Sequence, residues 1–313
     1  NEGGIEELQT AFQDRCADGT HDFNLSLLCC LPKKVVGTDP EAGDFYDGEN
    51  TRPLALVNTD NRIMASAARL TWEPILNQYI STMQQGFLKG RQMLNNVIDI
   101  DWTAMTVSLK CKQGAMVFFD FKAAFPSISH DFLNASLYHI GLPPAALSFI
   151  NVLYSQNNCD IAFKGNTHEG FGMHCGARQG CPISPLLFAA SIDILLRRLQ
   201  QKIPTGCFRA FADDIGMVVE ECRRDCNIAR TVFEEFACMS GLELNIPKTV
   251  LIPLWPNAVT EVQQKLSKGN TSWKNVKVDT VGTYLGFKSG PGKHTSSWEK
   301  PTTKFTNLSL IHI

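Results

Sequence analysis

Nowhere in the 313 residues does an apolar run approach the ~20 residues that a membrane-spanning helix needs, so no membrane partner is expected. Residues 1–20 have no apolar core of a secretory signal and are acidic and weakly periodic instead. A disulfide framework is missing too. The 11 cysteines are odd in number and scattered, and several lie inside apolar runs, where a reduced thiol behaves as a small hydrophobe. This usage points to a reducing intracellular compartment, nuclear, cytoplasmic or both. Cys222 and Cys226 have no second ligand pair at zinc spacing, which leaves a zinc site unsupported. Charge is sparse at 19%, while apolar content of 44% is enough to bury a real core.

The net charge of −2 is the sum of two unlike parts. Residues 1–60 carry 4 Lys and Arg against 12 Asp and Glu; the other 253 carry 25 against 19. Within 264–304, eight lysines face only Asp279 and Glu299. Such a segment suits a phosphate backbone, and an ordinary solvated lysine-rich face would read the same. The last six residues, Leu308 to Ile313, match the translated end of a transposase-based sequencing adapter. They are expected to be a library artefact and carry no weight in the fold.

What the chain does have is Phe211-Ala212-Asp213-Asp214, an acidic pair between the apolar runs Cys207–Phe211 and Ile215–Val219. Both runs have strand length and composition, so a tight hairpin with the aspartates at its tip is expected. Two adjacent like charges are costly to bury without cationic compensation, and metal ions would supply it. An exposed Asp-Asp turn would show the same residues. A third carboxylate, Asp120, ends the all-apolar strand Ala115–Phe119. If the two strands are neighbours, their ends bring three carboxylates together, as a two-ion phosphoryl-transfer site requires. Between them in sequence lies the loop Gly176–Pro185, rich in Gly and Pro, which feeds an apolar helix and allows close backbone approach to a polar ligand.

Elsewhere the pattern predicts strands over 23–31 and 51–58 and a long amphipathic helix after Thr59-Asp60 with a kink or break at Pro74. It predicts further helices over 92–98, 129–140, 144–154, 186–199 and 223–239. Hairpins are expected around Gly165-Asn166 and within 281–287, and a short strand at 250–253. The fold class is α+β, an antiparallel sheet carrying the acidic strands with helices behind it.

Six blocks in order then resemble one family, the reverse transcriptases of LINE-type (non-LTR) retrotransposons. They are Thr51–Asn58 running on to Gln85–Arg91, Phe119–Phe125, Gln179–Phe188, Phe211–Asp214, Gly241–Asn245 with Lys248-Thr249, and Tyr284-Leu285-Gly286. The resemblance covers roughly 30–290 and implies a right-hand polymerase fold with an antiparallel palm sheet and a truncated thumb. Ahead of the match lies the acidic segment 1–22, and the resemblance implies fingers at 23–115 with 130–175 returning to them. The palm would be 116–129 and 176–290, and the thumb would start at 291–307. It implies RNA-directed DNA polymerase activity on an RNA template, a DNA primer and dNTPs, with two Mg²⁺ ions or Mn²⁺ in their place. Asp120, Asp213 and Asp214 would hold the metals, with the Phe121 carbonyl lending an oxygen. Phe125 would crowd a 2′-hydroxyl, unless it is plain core packing. Arg52, with Lys33 or Lys34 assisting, would meet the triphosphate, and Gln179 and Gly180 would line the nucleotide and template side. Lys248 would act as a general acid or be an exposed strand-end lysine. Tyr284, Leu285 and Gly286 would form the primer grip. Pro126 stands where the family often has Asp, which alters helix entrance without touching a metal ligand. A group II intron maturase or other cellular reverse transcriptase, and an inactive relict that only binds nucleic acid, are the competing readings.

Overall fold

The computed structural model describes residues 23–33, 35–41, 43–47, 51–163, 165–269, 271–293 and 297–311. Lys34, the segment 1–22 and the side chains of the suspected adapter residues lie outside the described part. In chain order the strands are β1 (Ser26–Pro32), β2 (Gly37–Asp39), β3 (Gly43–Phe45), β4 (Thr51–Val57), β5 (Ala115–Phe119), β6 (Asn158–Phe163) and β7 (Asn166–Gly172). Then come β8 (Cys207–Phe211), β9 (Asp214–Val219), β10 (Val250–Pro253), β11 (Lys277–Val278), β12 (Gly282–Tyr284) and β13 (Phe287–Ser289). The helices longer than four residues are α1 (Thr59–Tyr79), α2 (Met93–Lys110), α3 (His130–Ile140), α4 (Pro144–Tyr154), α5 (Ser184–Lys202), α6 (Cys222–Ser240), α7 (Ala258–Lys268) and α8 (Glu299–Ile311), and a single turn, Ala124–Ser127, carries Phe125 and Pro126. The chain clusters into two compact units, residues 1–76 with 125–188, and residues 77–124 with 189–313.

The first unit holds a four-stranded sheet in the order β4-β1-β6-β7. β1 runs antiparallel to β4 and parallel to β6. Much of this sheet is open to solvent; β7 has no fully buried residue. α3 starts where Ser129 Oγ accepts the Phe132 N–H at 3.3 Å, and ends on Gly141 at φ 91°, the left-handed stop that glycine adopts without strain. Inside the unit, the Arg178 guanidinium is buried, donating to the Leu153 carbonyl at 2.6 Å and to Asn157 at 3.3 Å. A buried charge needs such partners to offset its lost hydration.

The second unit is built on a five-stranded sheet in the order β11-β10-β5-β9-β8, antiparallel except for the β10–β11 edge. β5 and β9 are central. Every residue of β5 is buried, and every residue of β9 except Asp214. Burial on both faces explains why they read as continuous apolar runs rather than alternating ones. One face is covered by Val97, Ile100, Ala104 and Val107 of α2, packed with Met116, Phe118, Val218 and Ile252. On the β5 side, Phe119 also meets Phe233 of α6 and Trp273, with ring centroids at 4.4 and 5.7 Å.

The helices depart from expectation in three places. α1 is not broken at Pro74; it continues to Tyr79. The hydrogen bond that proline cannot make would go to the Leu70 carbonyl, and Leu70 lies on the solvent face at 75% exposed, where water can serve that oxygen. α2 runs past Ile98 to Lys110, and within it Asp99 and Asp101 are paired with Arg209 and Lys293. α7 was not expected at all. Residues 77–115 cluster with the second unit, where α2 lays its apolar stripe on the sheet.

Candidate active site

The acidic pair sits at the tip of a hairpin. β8 and β9 pair from Cys207–Val218 up to Phe211–Asp214, leaving a two-residue turn of Ala212 and Asp213. Ala212 takes φ 59°, a left-handed conformation that is uncommon for a residue with a Cβ. On its other side β9 pairs with β5, Ile215 against Phe119. Continuing that register by one residue sets Asp120 opposite Asp214. Two central strands of one sheet therefore deliver three carboxylates to one end, as the apolar runs implied.

Placed there, the carboxyls lose water and repel one another. Burial raises the Asp213 carboxyl above the usual carboxylate range, and the negative charge of Asp120 adds to this. Burial, then Asp213, then Asp120 push Asp214 up to about 6. Asp214 keeps an exposed surface, yet the protein packed around its flanks removes enough water to matter. A divalent cation would relieve this repulsion, and carboxylate oxygens are the donors that hard cations take. The donor chemistry thus fits a divalent metal. The side chains as they stand do not enclose one: among the described residues, no three His, Cys, Asp or Glu groups converge at ligand distance.

A third stretch joins the aspartates. Residues 243–245 run back antiparallel to 120–122. Asn245 N–H donates to the Asp120 carbonyl at 2.7 Å, and Lys122 N–H to the Glu243 carbonyl at 2.8 Å. Phe121 opposite Leu244 is then a non-hydrogen-bonded pair, so its own carbonyl points away from that stretch. Its ring is buried against Phe233. Lys248 is exposed, in the 3-10 turn Ile246–Lys248 just beyond Asn245.

Tyr284, Leu285 and Gly286 form the end of the β12–β13 hairpin, with Leu285 at φ 50° and Gly286 at φ 88° in its turn. Tyr284 is buried at 2% exposed, stacked on Phe118 with centroids 5.0 Å apart, and donates its hydroxyl to the Arg209 carbonyl at 3.0 Å. Burial, with Asp214 nearby, raises its hydroxyl well above the ordinary tyrosine range. The tyrosine thus anchors the hairpin, and its exposed surface is the turn.

Arg52, Phe125, Gln179 and Gly180 belong to the first unit. Arg52 is exposed on edge strand β4. The Gln179 carbonyl accepts the Ala55 N–H at 2.8 Å, which ties the Gly/Pro loop to the strand carrying Arg52. Gly180, at φ 123°, has no room for a side chain: a Cβ would lie 2.2 Å from the Ala55 carbonyl oxygen. Phe125 is half-buried and stacks on the fully buried Phe188 with centroids at 4.3 Å. One ring face is therefore packed, leaving part of the ring accessible.

Sequence reasoning missed Gln84, a fully buried glutamine whose side chain reaches the Ala212 backbone. The only hint was Gly86 two residues later, in a block singled out without a role.

The family model described as "Reverse transcriptase (RNA-dependent DNA polymerase)" matches residues 40–289. The "Transposon TX1 uncharacterized 149 kDa protein" of Xenopus laevis is 24% identical over 279 residues, 83% of this chain and 20% of that protein. The Pol polyprotein from the type-2 retrotransposable element R2DM of Drosophila melanogaster is 25% identical over 305 residues, 95% of this chain and 26% of that one. The chain thus spans about a fifth to a quarter of the length of these relatives. Among solved structures, apo telomerase from Candida tropicalis superposes with a TM-score of 0.60 over 95% of this chain and 54% of that one, at 13% identity. That likeness shows the fold, the right-hand polymerase fold with an antiparallel sheet.

Proposed function

Since the chain belongs to the reverse transcriptase (RNA-dependent DNA polymerase) family and is a reverse transcriptase domain of the LINE-type, non-LTR kind, we propose that its parent protein adds dNTPs to a primer 3′ end on an RNA template. The observation that carries this reading is the pairing of β5 with β9, which sets Asp120 beside the Asp213-Asp214 turn. Reverse transcriptases generally use divalent metal ions. In this chain Asp120, Asp213 and Asp214 would hold two Mg²⁺ ions, with the Phe121 carbonyl assisting. Bound metal supplies activation of the attacking hydroxyl and neutralisation of charge on the phosphates.

The chain's own residues do the positioning. Arg52 would grip the triphosphate, for which a guanidinium has the right geometry. Gly180 lets the loop backbone, with Gln179, approach the nucleotide and template. Phe125, held by Phe188, would turn its accessible ring against a 2′-hydroxyl. Lys248 would give a proton to the departing pyrophosphate oxygen. The turn Leu285-Gly286, anchored by Tyr284, would hold the primer strand. RNA as template fits the family and the solved telomerase of Candida tropicalis with its telomeric RNA fragment. The work would take place inside the cell, in the nucleus, the cytoplasm or both.

The test is primer extension with an oligo(dT) primer on poly(rA), in Mg²⁺, using the parent protein. Incorporation of dTTP above an Asp213→Ala control is expected; none above that control would sink the reading.

A further inference from the structure

Gln84 and Gly86 lie in the stretch that crosses the open edge of β8. Ala210 N–H donates to the Met83 carbonyl and Gln85 N–H to the Ala210 carbonyl, each at 2.8 Å, so this segment pairs with the edge as a short extra strand. The Gln84 side chain then runs on to the turn. Its Oε1 accepts the Ala212 N–H at 2.9 Å and the Gly86 N–H at 2.8 Å, while its Nε2 donates to the Ala212 carbonyl at 3.1 Å. One carboxamide thus satisfies both backbone groups of the residue that precedes Asp213. The amide orientation follows from this: an oxygen must face the two N–H groups and a nitrogen the carbonyl. Gly86 permits the approach, because a Cβ there would lie 2.2 Å from the Ala212 nitrogen. Phe87 next to it takes φ 64° and sets its ring 6.3 Å from Phe211.

Ala212 needs this support. Its φ of 59° is disfavoured for alanine, and such conformations persist only where the surroundings over-determine them. Rotation about Ala212 would swing Asp213 away from Asp120 without breaking any β8–β9 pair below the turn. We propose that Gln84 is the positioning residue of the acidic turn: its carboxamide, with Gly86 beneath it, locks Ala212 in the left-handed state and so fixes Asp213 and Asp214 for the metals. The activity arm of the test rests on the polymerase reading above; the exchange arm does not.

In the parent protein, Gln84→Leu keeps the volume and removes all three hydrogen bonds. Primer extension is expected to show kcat down about 10- to 100-fold, a higher Mg²⁺ concentration for half-maximal rate, and KM for dTTP changed by less than about twofold. A purely structural glutamine would lower activity only through lost folded protein. Val107→Ala, a core truncation under the sheet, supplies the comparison at matched loss of Tm. Gln84→Glu, which keeps the acceptor but cannot donate when ionised, should fall between wild type and Gln84→Leu. Glycine adopts the left-handed state unaided, so Gln84→Leu should do less damage in an Ala212→Gly background. Wild-type kcat and Mg²⁺ dependence in Gln84→Leu, or a loss no greater than that of Val107→Ala, would overturn the proposal. Amide hydrogen exchange decides independently of turnover. Ala212 and Gly86 should exchange faster in Gln84→Leu while Met217 and Val218 do not; unchanged exchange at Ala212 overturns the proposal even if no variant polymerises. An inactive wild type with the expected exchange pattern would count against the polymerase reading alone.

Discussion

The two sheets handle side chains in opposite ways. In the five-stranded sheet the site is carried by central strands: β5 and β9 are sealed on both faces, and only the carboxylates at their ends emerge. In the four-stranded sheet the candidate phosphate-binding residue, Arg52, rides on an edge strand of mixed exposure, with Leu56 on the same face at 46% exposed. The difference follows from the tasks proposed. Carboxylates that share metals must hold their spacing against mutual repulsion, and a strand locked between two neighbours provides it. An arginine that meets a mobile triphosphate works on a long flexible stem and tolerates an open edge.

The hardest way to break this comparison is at the tip itself. Asp213→Ala or Asp120→Ala is expected to lower kcat by at least about 10²–10³-fold, the scale on which removal of one transition-state electrostatic contact is felt. Thermal unfolding should be little changed, since neither side chain packs a core. Next comes the packing contrast. Ile100→Ala, under the five-stranded sheet and fully buried, should cost about 2–5 kcal/mol, whereas Leu56→Ala should cost under about 0.5 kcal/mol in chemical denaturation. Equal losses would erase the distinction between the two sheets. Phe125→Ala should raise rNTP use relative to dNTP by about 10- to 100-fold in competition assays; an unchanged ratio would return the ring to simple packing on Phe188.

The smallest effect is electrostatic. The carboxyl of Asp214 titrates near 6 in the fold and near 3.9 in an unfolded chain. Between those values the folded state holds more protons, so stability falls as pH rises from about 4 to 6 and stays lower above. Asp214→Asn should therefore raise Tm slightly at pH 7–8 in the absence of divalent ions. That gain should vanish below about pH 4, and addition of Mg²⁺ should reverse its sign by favouring the aspartate.

Much of this was legible in the chain. Ala115–Phe119 and Ile215–Val219 read as strands from their apolar runs, and the Asp pair between Cys207–Phe211 and Ile215–Val219 read as the tip of a hairpin, where Asp213 sits in the turn and Asp214 opens β9. The α3 boundaries followed from Ser129 and Gly141. What sequence could not reveal depends on partners distant in the chain. Asp99 and Asp101 look unfavourable within a helix until Arg209 and Lys293 arrive from 110 and 192 residues away. The return of 243–245 onto Asp120 leaves no periodic mark, being a single bridge. Gln84 reads as a surface residue in any window, because only the tertiary fold buries it against Ala212. Tyr284 stands in a block that resembles a primer grip, and its ring is buried against Phe118, a contact no sequence window shows.

The position of β5 also sets the order in which the molecule can become whole. Its partners, β9 and β10, begin at residues 214 and 250, so a strand finished by residue 119 waits for roughly a hundred further residues during synthesis. At ~5–20 residues per second that is many seconds in which an all-apolar edge stands open. Long-range pairing of this kind is slow to form and prone to wrong partners. Chains stopped before Val250 are expected to leave β5 open to proteolysis and aggregation, and the sheet that carries the aspartates closes only when the last of its strands has been made.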